Sequence, residues 1–204
     1  PFLEGLNIAS LAWMDEKRLI CGTTNALLLV DPDKNIERVQ VSDNPDVVGY
    51  SLDVRRIVPM ENGRIWFANK HQLFSWQPGD DKPRREAPTS HNPSIDAMTG
   101  RGNRLWIGRS WAITEIDTLS GIRKNLAFQG KIFLGKITGL FADDHDNLWI
   151  GSAKGVYRFN LKSETLTPVL TGQQASVPDV QSFCPDWSGN IWAQTETRIF
   201  QIQI

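Results

Sequence analysis

The sequence predicts an all-β fold, a β-propeller of four-stranded antiparallel blades, and three observations predict it. One phrase recurs five times along the 204 residues, aligned on Trp66, Trp106, Trp149 and Trp192, with Ile20 taking the slot in a weaker first copy, at steps of 46, 40, 43 and 43 residues. A self-similar period of that size marks a solenoid or a propeller. Each copy holds short β-rich runs separated by turn residues, as a blade does, and no window carries a sustained helical period.

The elements follow in the same order in every copy. An apolar run opens it, at 8–13, 54–60, 95–98, 137–142 and 180–184. Polar turns follow, such as Glu61-Asn-Gly-Arg64, Asp143-Asp-His-Asp-Asn147 and Asp186-Trp-Ser-Gly-Asn190. Asp, Asn and Gly tolerate turn dihedrals and bond their own backbone, so these read as hairpin connections. Gly100-Arg-Gly-Asn-Arg104 is one of them and lacks the third glycine of a dinucleotide-binding loop. Second strands are expected at 19–22, 65–68, 105–108, 148–151 and 191–193, and third strands at 27–30, 73–76, 113–116, 156–159 and 199–202. Weaker fourth strands fall at 36–41, 84–87, 122–128 and 165–170. The blades are therefore placed at 8–41, 53–87, 94–128, 136–170 and 179–204, in one propeller domain.

Two residues past the aligned position stand Gly22, Ala68, Gly108, Gly151 and, out of pattern, Gln194. Small residues there mark close approach between blades. The Leu-Trp-Ile-Gly runs are apolar on both strand faces, which predicts that the repeated tryptophans are buried between blades rather than bound to a ligand. Trp13, Trp76 and Trp187 are expected to pack at edges or turns. Cys21 and Cys184 form no framework and no metal pattern, and are expected as buried free thiols.

With 22 basic and 23 acidic residues the net charge is −1, and no charged block occurs. That excludes nucleic-acid binding driven by bulk charge. No apolar run approaches the ~18 residues of a membrane helix, so any membrane attachment lies in segments outside this chain. His71, His91 and His145 lack zinc spacing, and no nucleophile elbow or phosphate loop is present. Asp143, Asp144 and Asp146 lack the spaced ligands of an EF-hand loop. No metal, no cofactor and no catalytic residue are expected.

The phrase at 143–159, Asp-x-x-x-Asn-Leu-Trp-Ile-Gly-Ser-x-x-Gly-Val-Tyr-Arg-Phe, resembles the two-component regulator propeller repeat. Asp186-Trp-Ser-Gly-Asn-Ile-Trp192 and Asn103-Arg-Leu-Trp-Ile-Gly108 match its centre, and Asn62-Gly-Arg-Ile-Trp-Phe67 matches loosely. The resemblance implies the sensor region of a bacterial membrane-bound histidine kinase or diguanylate cyclase, on the periplasmic or extracellular side. Such sensors generally have about seven blades. Five copies leave two architectures open, a small closed ring or part of a larger propeller; the short segment 1–5 favours the second, whose open faces would favour homo-oligomers.

In a propeller, the turn between second and third strands and the link into the next blade share one face. Five residues past the aligned position stand Asn25, His71, Trp111, Lys154 and Thr197, a position that varies while its neighbours keep the pattern. Trp111 is out of register for packing between blades and suits stacking on a sugar ring. Arg109, Lys70, His71 and Lys154 would add anion contacts, with Tyr50 in the longest link. The expected partner is a small molecule, an oligosaccharide or a protein. Alternatives are a protein-interaction scaffold and a lyase like those acting on streptogramins, for which His71 with Glu196 is the candidate acid–base pair.

Overall fold

The computed structural model describes residues 7–31, 33, 36–39, 52–86, 94–128, 134–169, 177 and 179–202. Every regular element among them is a strand. The strands form five antiparallel sheets in simple up-and-down order, four of four strands and one of three. The fold is a β-propeller type, built of blades. The chain divides into two compact units, Pro1–Ile95 and Asp96–Ile204.

The first unit holds two blades. Blade 1 is β1 (Ile8–Trp13), β2 (Leu19–Thr23), β3 (Leu27–Val30) and β4 (Ile36–Val39); blade 2 is β5 (Arg56–Pro59), β6 (Ile65–Ala68), β7 (Leu73–Trp76) and β8 (Arg84–Arg85). Ile20, Leu27 and Val39 from blade 1 share one core with Val54, Ile65, Phe67, Phe74 and Trp76. Phe67 and Phe74 are cross-strand partners whose rings stack at 5.0 Å. Trp76 is thus core rather than edge packing.

The second unit holds three blades. Blade 3 is β9 (Ala97–Arg101), β10 (Arg104–Gly108), β11 (Ile113–Asp117) and β12 (Arg123–Asn125). Blade 4 is β13 (Ile137–Ala142), β14 (Asn147–Ser152), β15 (Gly155–Asn160) and β16 (Thr165–Val169); blade 5 is β17 (Ser182–Pro185), β18 (Ile191–Gln194) and β19 (Ile199–Ile202). Trp106, Ala97 and Ile113 pack with Ile137, Leu148 and Ile150 between blades 3 and 4. Trp149 and Val156 pack with Val180, Ile191, Ala193 and Ile202 between blades 4 and 5.

The small residue two past the aligned position is where the blades meet. A Cβ on Gly22 would overlap the Val54 carbonyl, one on Gly151 the Val180 carbonyl, and one on Gly108 would stand 2.5 Å from Ile137 Cγ2. Asp53 and Asp179, each just before the inserted valine, sit at φ 42° and 56°. Asp tolerates that left-handed conformation better than most residues, and it turns the following carbonyl into the slot.

Three expectations need correction. Trp66, Trp106 and Trp149 are buried, but Trp192 is 40% exposed. Cys21 is a buried free thiol, its pKa raised by burial, whereas Cys184 is free and exposed. Both departures have one cause: Cys184 and Trp192 are cross-strand partners on the outer face of blade 5, the face turned away from blade 4. The third concerns Trp13 and Trp187, which are exposed rather than packed.

Candidate functional site

Each turn between second and third strands is closed by the residue three past the aligned position. Thr23 Oγ1 donates to the Ala26 carbonyl and accepts from its N–H. Asn69 Oδ1 accepts from the N–H groups of His71 and Gln72, Ser152 Oγ donates to the Gly155 carbonyl, and Thr195 Oγ1 donates to the Arg198 carbonyl. A short hydroxyl or amide is the right length for this local bond.

Blade 3 departs from the rule, because Arg109 stands in this slot. Its turn keeps the main-chain bond, from Arg109 N–H to the Ala112 carbonyl at 2.9 Å. The Arg109 side chain is 6% exposed. Burial lowers its pKa, the Asp96 carboxylate opposes that shift, and Arg123 adds to it. Lys136 Nζ lies 3.8 Å from Asp96 Oδ1, the same carboxylate whose charge Arg109 feels. Two residues on, Trp111 leaves 66% of its surface in solvent.

Arg109 and Trp111 are therefore brought to one turn, beside the link that enters blade 4, where Ile137 N–H bonds the Arg109 carbonyl. Lys154 occupies the corresponding turn of blade 4; its N–H donates to Ser152 Oγ, and its side chain passes near Gly135. Lys70 and His71 lie, exposed, on the equivalent turn of blade 2 in the other unit. Tyr50 lies outside the described residues. Asp96 and Lys136 were not visible as site residues in the sequence. The signal that could have found them is charge at the entry to a blade, where the neighbouring positions are apolar.

At the opposite end of the strands, the acidic turn of blade 4 is already occupied. Asp143 Oδ2 accepts from Trp149 Nε1 at 2.8 Å and from Asn147 Nδ2 at 2.9 Å. Burial disfavours the Asp143 charge, but these bonds outweigh it and hold its pKa below the ordinary value. Arg101 bonds the Asp143 and Asp144 carbonyls, and Lys162 Nζ sits 2.6 Å from Asp146 Oδ2. The turn is a clamp closed by the protein's own cations. Among the described residues no three His, Cys, Asp or Glu side chains group as metal ligands.

Chemically, the blade 3 turn combines an indole face open to solvent with a buried guanidinium, which feels the Asp96 carboxylate, and with the Lys136 ammonium 3.8 Å from that carboxylate. An aromatic face beside a few fixed polar groups is a common recipe for small-ligand sites. Searches with family models and curated sequences gave no match. Solved structures do match. The chain aligns over 97% of its length with the extracellular domain of the hybrid two component system BT4673 from B. thetaiotaomicron, at 14% identity and a TM-score of 0.75. It aligns equally far with that of the hybrid two component system BT3049, at 16% identity and a TM-score of 0.70. It covers 26% and 28% of those chains, about a quarter of their length. Over its whole length it also aligns with virginiamycin B lyase from Staphylococcus aureus, at 12% identity and a TM-score of 0.73, covering 72% of that chain. At such identities the likeness is one of fold. That fold is the β-propeller.

Proposed function

We propose that this chain is part of the extracytoplasmic sensor region of a bacterial two-component-type signalling receptor. It takes a small ligand at the turn face of blade 3 and passes the signal to an output domain outside these residues. The observation that carries the reading is the exchange of a turn-closing residue for Arg109 in blade 3 alone, with Trp111 exposed on the same turn. Structural likeness to extracellular domains of two-component systems supports the sensor role. The ligand class is a saccharide bearing a carboxylate: the ring stacks on Trp111, and the anion lies toward Arg109 and Lys136, with Lys154 on the neighbouring turn.

A thermal-shift screen with neutral and uronate-containing oligosaccharides tests this, with Trp111→Ala as the comparison. The expected result is a rise in Tm for a uronate oligosaccharide that Trp111→Ala abolishes. Equal shifts in parent and variant, or no shift across the panel, would overturn the site. A second reading, a propeller lyase, is favoured by the alignment with virginiamycin B lyase. Turnover of a streptogramin B substrate, lost in His71→Ala, would replace the sensor reading.

A further inference from the structure

Trp66, on β6, is 4% exposed, and its Nε1 has no hydrogen-bond partner among the described residues. A buried N–H without an acceptor is costly, so its surroundings call for an explanation. The other repeated tryptophans each have an acceptor. Trp149 donates to Asp143, Trp192 to Asp186 and Trp106 to Glu115, in every case to a carboxylate oxygen. In blade 2 the acidic turn position holds Met60, whose thioether is a weak acceptor.

Blade 3 shows what surrounds such a carboxylate when it comes from the third strand. Glu115 is the cross-strand partner of both Trp106 and Lys124. Its Oε2 accepts from Trp106 Nε1 at 3.0 Å, and its Oε1 lies 3.6 Å from Lys124 Nζ and 3.8 Å from Arg104 Nε. Blade 2 repeats the arrangement with one exchange. Ser75 is the cross-strand partner of both Trp66 and Arg84. Arg64 stands two residues before Trp66, as Arg104 does before Trp106, and Arg64 Nη1 donates to Ser75 Oγ at 3.3 Å. The indole and the two cations are kept, and the glutamate has become a serine that is 1% exposed. A serine side chain is a glutamate cut back by its carboxyl group. Glu86 returns part of the charge: its Oε1 accepts from Ser75 Oγ at 2.7 Å and lies 3.9 Å from Arg84 Nε. It does not serve the indole, and two cations still face one carboxylate.

We propose that blade 2 binds a small monovalent anion, of the size of formate or chloride, between Trp66 Nε1 and Arg64, beside Ser75. The anion does for Trp66 what the Glu115 carboxylate does for Trp106. Its partners are a buried N–H and a guanidinium, and hydrogen bonds to an ionised acceptor are the strong ones. Burial strengthens them further, because water competes little there. All the residues involved lie in the first unit, so the site does not depend on the ligand turn of blade 3.

Thermal unfolding in sodium formate or chloride tests this against isethionate, an anion larger than a carboxyl group, at equal ionic strength. The parent is expected to gain a few degrees in Tm in the two small anions. Trp66→Phe removes the donor and should lose that gain. Ser75→Glu supplies the carboxylate from the chain itself. It should be as stable in isethionate as the parent is in formate, and should no longer respond to formate. In crystals grown with bromide in place of chloride, an anomalous-diffraction peak is expected within hydrogen-bond distance of Trp66 Nε1. No gain in the parent, or a gain that either variant keeps, would overturn the proposal. So would bromide crystals without a peak at Trp66, which would make water the acceptor. If Ser75→Glu does not fold, Trp66→Phe and the bromide peak decide the matter.

Discussion

Blades 4 and 5 carry the same phrase and live in different surroundings. In blade 4 the Asp143 carboxylate accepts from the Asn147 N–H, Asn147 Nδ2 and Trp149 Nε1. In blade 5 the Asp186 carboxylate accepts from the Asn190 N–H, Asn190 Nδ2 and Trp192 Nε1. The polar network is thus encoded locally, in a stretch of seven residues. Burial is not. β14 is buried on both faces, while β18 alternates buried and exposed. Trp149 gains a blade on its far side and Trp192 does not, so identical hydrogen bonds should stabilise the two blades very differently.

The largest test of this difference is truncation of each indole. Trp149→Ala removes a side chain 2% exposed and should cost about 3–5 kcal/mol in urea denaturation. Trp192→Ala should cost well under half of that. Equal costs would mean that the outer face of blade 5 is covered in solution, and the comparison would break. Next comes the slot. Gly151→Ala forces a methyl group against the Val180 carbonyl and should cost about 1–3 kcal/mol. Gln194→Ala at the matching position should change monomer stability by about 0.5 kcal/mol or less.

Smaller effects come from the carboxylates. Asp143→Ala leaves the buried Trp149 N–H without its acceptor and should cost about 1–3 kcal/mol, with a visibly smaller loss for Asp186→Ala. The pH dependence follows from the same bonds. Asp143 and Asp186 both titrate below the ordinary 3.8, Asp143 despite its burial and Asp186 through Asn190 and Trp192. A lowered carboxylate contributes stability in full above its unfolded pKa and loses it as pH falls toward the folded one. Unfolding free energy should therefore decline below about pH 4, and Asp143→Asn should flatten that decline. An unchanged slope would take Asp143 out of the acid response.

The blade pattern was legible because every blade spells it with short-range signals: apolar runs, Asp/Asn/Gly turns and a small residue at a fixed offset. The acid–indole clamp was not. Asp143 and Asp186 read only as turn formers, and their link to Trp149 and Trp192 crosses the hairpin at six residues. Trp66 shows what the clamp supplies, since Met60 stands in the acidic position and the buried Trp66 Nε1 has no acceptor among the described residues. In blade 3, Glu115 from β11 serves Trp106 instead, at 3.0 Å. The exposure of Trp192 and Cys184 was invisible because it depends on a neighbour, not on the phrase. At the candidate site, Trp111 stood out by breaking register. Asp96 and Lys136 are forty residues apart, and only blade stacking makes them meet.

The turn of blade 3 keeps its main-chain bond although it lacks the short side chain that closes the other four. Closure of these turns is therefore redundant, and redundancy is what lets a repeat acquire new content. A copy can exchange its fastener for a residue with another task while the strands on either side keep the loop ends together. The same tolerance makes positions 109–112 a natural insertion point for a protein engineer, where altered or longer loops could be grafted without rewriting the blade beneath.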